Sequence, residues 1–191
     1  MHVIGLRFAE SVFRVPQSVF CMQACYNYIV QNHEELIMTT AIFAGSFDPV
    51  TNGHYDILKQ ASEMFDKVII AIAYNPAKSG FLPVEERLSL INLIIKDFDN
   101  VESDVFDGLT VNYAEKRGAD VLIRGIRNSA DFEYENKMAQ VNHLLNAKIK
   151  TVFLIPKPEN MSVSSSVVRE ILDCGGDISK FVPEKIKDYF E

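Results

Sequence analysis

The stretch FAGSFDPVTNGH, residues 43–54, decides the fold. It joins an apolar run, TTAIFAG (39–45), to an amphipathic pattern, GHYDILKQASEMF (53–65). The first reads as a buried strand and the second as a helix. Between them Gly45 lets the backbone pass close to a ligand, and Asp48-Pro49 shapes a turn. Thr51 or Asn52 can cap the helix, and Gly53 leaves its first turn uncrowded. His54 then projects from a helix N-terminus, where unpaired N–H groups and the helix dipole favour a bound phosphate. The same electrostatics resist protonation of the ring, so a neutral or proton-sharing hydrogen-bond donor is the expected state. Taken alone, the stretch also reads as a plain capping turn with a surface histidine.

Outward from this turn the pattern repeats. KVIIAIAY (67–74) reads as a second strand, and VEERLSLINLIIKDF (84–98) as a helix opening after Pro83. VESDVF (101–106) is a weaker strand, followed by the helix LTVNYAEKRG, with Gly118 as its C-terminal cap. DVLIR (120–124) is a short strand, DFEYENKMAQVNHLLN (131–146) a long helix and KTVFLIP (150–156) a fifth strand. SSSVVREILDCGG (164–176) and PEKIKDYFE (183–191) read as closing helices. Strands separated by helices of this length imply parallel pairing through right-handed crossovers, hence an α/β fold with a doubly wound five-stranded parallel sheet. Ligands of such folds sit beyond the carboxyl ends of the strands, which is where the other motifs fall.

Bulk properties narrow the function. The chain has 191 residues, 48% hydrophobic and 24% charged, as in ordinary globular proteins. Its apolar runs are too short for a membrane span. A net charge of −7 argues against general nucleic-acid binding but not against a small anion, because local arginines can outweigh a global surplus of acid. Cys21, Cys25 and Cys174 form no disulfide or zinc pattern and suggest a reducing compartment.

Three further groups lie at the ligand edge. In LIRGIRNSADFEYE (122–135), Arg124 and Arg127 offer two guanidiniums at one sheet edge, a geometry suited to phosphate oxygens. They also read as solvated arginines paired with Asp131, Glu133 or Glu135. In MSVSSSVVRE (161–170), Ser164, Ser165 and Ser166 span a helix N-terminus, where one serine suffices as a cap and three can converge on a polyphosphate. A polar loop is the plainer alternative there, and Arg169 reads as a helix-surface charge. Lys78 sits in the loop after the second strand. His143 and the Phe and Met residues of the helices read as packing or surface positions. Metal-ligand spacing is absent, so a metal is expected to arrive with nucleotide phosphates. A histidine, a lysine, two arginines and helix N-termini, without a nucleophile–base pair, suit phosphoryl or nucleotidyl transfer, in which positioning and charge stabilisation supply most of the catalysis. Neither GxxxxGK[ST] nor a GxGxxG after the first strand is present, which disfavours a P-loop kinase and a dehydrogenase.

With these residues assembled, the chain closely resembles the bacterial phosphopantetheine adenylyltransferases of the nucleotidyltransferase superfamily, from about Thr39 to the C-terminus. GSFDPVTNGH looks like the nucleotide signature of the superfamily, and SSSVVRE matches its second motif. IRGIRNSADFEYE is more specific to the family. The resemblance implies a Rossmann-like nucleotidyltransferase fold with C-terminal helices. It implies transfer of AMP from ATP to 4'-phosphopantetheine with magnesium, giving dephospho-coenzyme A and pyrophosphate, the penultimate step of coenzyme A synthesis. It further implies a cytoplasmic homo-oligomer, a hexamer, open to inhibition by coenzyme A, with no nucleic-acid or membrane partner.

By the same resemblance, His54 stabilises the transition state, while Lys78 and Arg124 hold phosphopantetheine near its phosphate. Ser46 contacts both substrates, in a position where many relatives carry Thr. Thr110 matches a substrate-contacting position that is usually apolar. Phe47, His54, Gly125, Ile126, Arg127 and Glu135 correspond to ATP contacts, as do Asn160, Met161, Ser162, Val163, Ser164, Ser165 and Ser166. Relatives often carry an aromatic residue where this chain has Asn160, which removes a stacking partner for adenine. Two alternatives compete: a sister enzyme acting on nicotinate mononucleotide or glycerol 3-phosphate, and a non-catalytic nucleotide-binding protein on the same fold. Residues 1–37 lack the strand–helix alternation and are expected to form a poorly ordered N-terminal extension, from an upstream start codon, ahead of a nucleotidyltransferase domain over 38–191. A docking helix within 18–36 is the alternative.

Overall fold

The computed structural model describes residues 39–74 and 79–190; the expectations for residues 1–37 and for Lys78 lie outside these. Five strands, β1 (Thr40–Gly45), β2 (Lys67–Ala73), β3 (Val101–Phe106), β4 (Val121–Gly125) and β5 (Lys150–Leu154), pair in the order β3-β2-β1-β4-β5. Every pairing is parallel. The order reverses at β1, so the crevice beyond the ends of β1 and β4 is the switch point at which doubly wound sheets bind ligands.

Between the strands run α1 (Asn52–Met64), α2 (Val84–Ile94), α3 (Thr110–Lys116) and α4 (Ser129–Leu145), with α5 (Ser165–Asp173) after β5. Side chains of the central strands alternate between two cores, one on each face of the sheet. Ala41, Phe43, Val68, Ile70 and Ile72 meet Ile57, Leu58 and Ala61 of α1 and Leu90, Ile91 and Ile94 of α2. Ile42, Ala44, Ile69 and Ala71 meet Val111, Tyr113 and Ala114 of α3. Burial on both faces explains why β1 and β2 read as unbroken apolar runs.

Element boundaries differ from the sequence reading in places with identifiable causes. Thr51, and not Asn52, caps α1. The helix after Pro83 stops at Ile94 and tightens into a 3-10 turn over Ile95–Asp97, where Phe98 N–H reaches back to the Ile95 carbonyl. α4 begins at Ser129, because Asn128 caps it by accepting from Asp131 N–H at 2.9 Å. β5 ends at Leu154, the last residue in register with β4. α5 ends at Asp173 and unwinds through Gly175 at φ +70°, the left-handed conformation that terminates helices. Gly118, at φ +63°, closes α3 in the expected way. The closing segment is a 3-10 helix over Glu184–Tyr189, not an α-helix, and it buries Ile186 against the core. Just before it, the Phe181 carbonyl accepts from Asn52 N–H at 2.9 Å and the Lys180 carbonyl from the Asn52 amide at 3.0 Å, which ties the chain's end to the start of α1.

Candidate active site

The ends of β1 and β4 and the N-termini of α1 and α5 surround a cavity of about 330 Å³. The β1–α1 turn forms one wall. Phe47 adopts φ +47°, a left-handed conformation rare for a bulky residue, and its ring is 1% exposed. The ring stands edge-on to His54, with centroids 5.1 Å apart, and to Phe43 at 5.2 Å. A Cβ on Gly45 would come within 3.1 Å of that ring. Gly45 therefore makes room for Phe47 as well as opening the backbone to the cavity.

Thr51 and His54 close a capping box: the His54 Nδ1 accepts from Thr51 N–H at 3.1 Å, and the Thr51 hydroxyl oxygen accepts from His54 N–H at 3.5 Å. An accepting Nδ1 puts the proton of a neutral ring on Nε2. Burial, and then the nearby Arg127 guanidinium, push the imidazole down to about 4. His54 is thus a neutral Nε2–H donor held by the first turn of α1, on the wall of the cavity.

Two arginines come from the β4 side. The Arg124 Nη1 donates to the Ala44 carbonyl at 2.9 Å, across β1, and its Nε lies 3.3 Å from Glu135. The Arg127 Nε donates to Asp131 at 2.9 Å, in the first turn of α4, and its Nη1 donates to the Val163 carbonyl at 3.4 Å. Both pair with carboxylates and both line the cavity. The carboxylates fix the guanidinium planes and leave the remaining N–H groups for a ligand.

At α5, Ser164 is the cap, accepting from Val167 N–H at 3.2 Å. The Ser165 hydroxyl donates to the Pro49 carbonyl at 2.8 Å. All three hydroxyls are engaged within the protein, since Ser166 Oγ also accepts a hydrogen bond, but only Ser165 spends its O–H proton, so the anion-binding capacity of this helix end rests on its N–H groups and on the O–H donors of Ser164 and Ser166. Arg169 is not the surface charge expected from sequence. Its Nη1 donates to the Asp48 carbonyl and its Nη2 to Ser166 Oγ at 3.3 Å, so it is a third guanidinium in the cavity wall. Its position one turn after Ser166 was the available signal, since residues three apart share a helix face. Glu135 is the only lining carboxylate among the described residues. A chain of net charge −7 thus builds a locally positive pocket.

Other named residues stand apart. Ile126 is buried behind β4, its N–H donating to the Leu154 carbonyl at 2.9 Å, and does not line the cavity. Asn160, Met161 and Ser162 also lie outside its lining, whereas Val163 is part of it. The Asn160 amide donates to the buried Asp56 carboxylate at 2.8 Å, which also accepts from Lys157 N–H at 3.0 Å. Asn160 therefore anchors the loop between β5 and α5 to α1. Thr110 opens α3 beyond the end of β3 and is not in the cavity wall.

Residues 42–171 match the cytidylyltransferase-like family. A phosphopantetheine adenylyltransferase of Caldanaerobacter subterraneus subsp. tengcongensis is 48% identical over 151 residues, covering 79% of this chain and 94% of the relative. The same enzyme of Leuconostoc citreum is 48% identical over 152 residues, covering 79% and 96%. The chain belongs to the phosphopantetheine adenylyltransferase family. The matched residues 42–171 include every residue that lines the cavity. A solved structure from Vibrio parahaemolyticus, provisionally assigned as a nicotinate-nucleotide adenylyltransferase, superposes with a TM-score of 0.63, covering 81% of this chain and 99% of that one. At 22% identity it shows the shared nucleotidyltransferase fold alone.

Proposed function

We propose that this chain transfers the adenylyl group of ATP to 4'-phosphopantetheine, releasing pyrophosphate and forming dephospho-coenzyme A, the penultimate step of coenzyme A synthesis. The observation that carries the reading is the neutral His54 Nε2–H donor set among three guanidiniums at the switch point of the sheet. In the reaction an acceptor phosphate oxygen attacks the α-phosphorus in line. The new P–O bond forms as the bond to the bridging oxygen of the β-phosphate breaks, and the electron pair leaves with pyrophosphate. His54 donates to an α-phosphate oxygen as charge builds there, and being neutral it does so without competing for a proton. Arg127, Arg169, Ser166 and the α5 N-terminus hold the triphosphate on the β4–β5 side. Arg124, with Lys78, holds the acceptor phosphate, and Ser46 lies between the two substrates.

Magnesium fits this site as a companion of the nucleotide. Among the described residues no group of three or more His, Cys, Asp or Glu could cage an ion, and Glu135 is held by Arg124. The ion would take its ligands from phosphate oxygens and water, and when bound it would neutralise charge on the departing pyrophosphate.

Assembly into a hexamer is part of the proposal. Among the residues of α4 only Asn142 is buried, while Val141, Leu144 and Leu145 are 47%, 84% and 54% exposed, an apolar face suited to a second copy. Coenzyme A, which carries the adenylyl and phosphopantetheine parts joined in this reaction, would compete at the same site. Cytoplasmic location accords with these substrates, and no helix of the described residues is long and apolar enough to cross a membrane.

The test is pyrophosphate release from ATP and magnesium, with and without 4'-phosphopantetheine. Release that requires phosphopantetheine is the expected result. Release with nicotinate mononucleotide or glycerol 3-phosphate in its place would move the chain to a sister activity, and ATP binding without release would make it a binding protein.

A further inference from the structure

The β1–α1 turn is braced from beneath by a buried pair. Asp48 and Arg87 are each 7% exposed. The Asp48 carboxylate accepts from Phe81 N–H at 2.7 Å and from Leu82 N–H at 2.8 Å, which stitches the connection between β2 and α2 to the turn. Arg87, in the first turn of α2, donates Nη1–H to the Ser46 carbonyl at 3.0 Å. Its Nε lies 3.9 Å from Asp48 and is the one buried side-chain nitrogen or oxygen without a hydrogen-bond partner among the described residues. Gly80 closes the arrangement: a Cβ there would stand 2.9 Å from Arg87 Nη2 and 3.0 Å from Asp48 Oδ2.

A buried guanidinium with an orphaned Nε is a weak source of stability, because its desolvation is incompletely compensated. What it does supply is a fixed position for the Ser46 carbonyl. That carbonyl belongs to the peptide leading into Phe47, whose left-handed backbone and buried ring support His54. We propose that Asp48, Arg87 and Gly80 form a positioning bracket that sets the Ser46–Phe47 peptide and, with it, the acceptor side of the active site, without touching either substrate. The bracket lies on the β2 side of β1, whereas the arginines and serines assigned to the triphosphate come from β4 and α5. Its loss should therefore separate the two substrates. The inference rests on the proposed placement of acceptor and nucleotide.

The experiment uses Arg87→Met, Arg87→Lys and Gly80→Ala in the full chain. It reads melting temperature, the Kd of ATP with magnesium, the Kd of 4'-phosphopantetheine by calorimetry, and kcat/KM for each substrate. In Arg87→Met and Gly80→Ala, kcat/KM for the acceptor should fall about 10- to 100-fold, the scale of a misplaced contact, with a matching rise in acceptor Kd. The ATP Kd should stay near the wild-type value. Arg87→Lys keeps the charge but lacks the fork, and should recover only part of the loss. Equal loss for both substrates in step with a lowered melting temperature would reduce the pair to a structural role and overturn the proposal, as would unchanged constants in folded protein. If Arg87→Met does not fold, the other two variants decide by the same split. A wild type that binds both substrates without turnover would fail the proposed reaction alone, and acceptor Kd would still judge the bracket.

Discussion

Thr51 and His54 cap each other, three residues apart, at the start of the helix that faces the cavity. This one relationship does two things. It satisfies N–H groups that the helix start would leave unpaired, and it commits Nδ1 as an acceptor so that Nε2 carries the proton. A structural cap and a reactive tautomer are therefore the same pair of hydrogen bonds.

Thr51→Val keeps the side-chain shape and removes the hydroxyl. It should lower stability by about 1 kcal/mol, the usual value of an N-cap, and should also lower kcat, because the ring keeps the Thr51 N–H but loses the Thr51 hydroxyl that lies 3.0 Å from His54 Nδ1. Thr51→Ser should restore both. Chemical denaturation and steady-state pyrophosphate release check this, and full activity in Thr51→Val would refute the link between cap and catalysis.

His54→Ala should retain the fold and most of the ATP binding while turnover drops about 10²-fold or more, the scale of one lost transition-state donor. Calorimetric ATP binding alongside pyrophosphate release separates the two effects. A mutant that turns over at the wild-type rate would remove His54 from the mechanism.

The pH dependence has a definite sign. The folded-state value of His54 is depressed to about 4 from 6.5, so between these limits the unfolded chain binds more protons than the native one. Stability should be lost as pH falls through that window and should show no His54 contribution to its slope above it. Activity should likewise show no histidine limb near 6.5. Imidazole NMR should find a neutral Nε2–H ring at pH 6 with a midpoint near 4, and a midpoint near 6.5 would contradict the environment described.

Arg169→Ala should weaken ATP binding and leave acceptor binding nearly unchanged, because this guanidinium reaches the cavity from α5. Arg169→Lys should restore part of the affinity through charge alone. Titration with each substrate reads the difference, and unchanged ATP affinity in Arg169→Ala would return the residue to the surface role suggested by sequence.

Asn160→Ala removes one of the donors to the buried Asp56 carboxylate. It should cost about 1–3 kcal/mol and raise the KM for ATP more than that for the acceptor, since it loosens the loop leading to Val163 and α5. Thermal melts and paired KM measurements test it. An unchanged melting temperature would show that Lys157 alone holds the carboxylate.

Much of this protein was determined locally. Unbroken apolar runs at β1 and β2, amphipathic helices between strands and a glycine-rich turn are short-range patterns, and they specified a parallel doubly wound sheet with its ligand edge. Local chemistry likewise pointed to His54, Arg124, Arg127 and Ser166 at that edge, because residues at strand ends and helix starts carry their position in the sequence itself. Other features depend on distance. The Asp48 carboxylate meets amides 33 and 34 residues away, Asn160 meets Asp56 across 104 residues, and Arg169 meets the Asp48 carbonyl across 121. No periodicity encodes such pairs, so Arg169 read as a surface charge and the hold of Asn160 on Asp56 was not legible. The end of the chain became a 3-10 helix because its stability comes from docking Ile186 into the core, a tertiary term that overrides local helix pattern. The sequence set which elements form and which edge binds; folding then decided which side chains brace that edge and which remain to face the substrate, because hydrogen-bond partners are chosen by proximity in space.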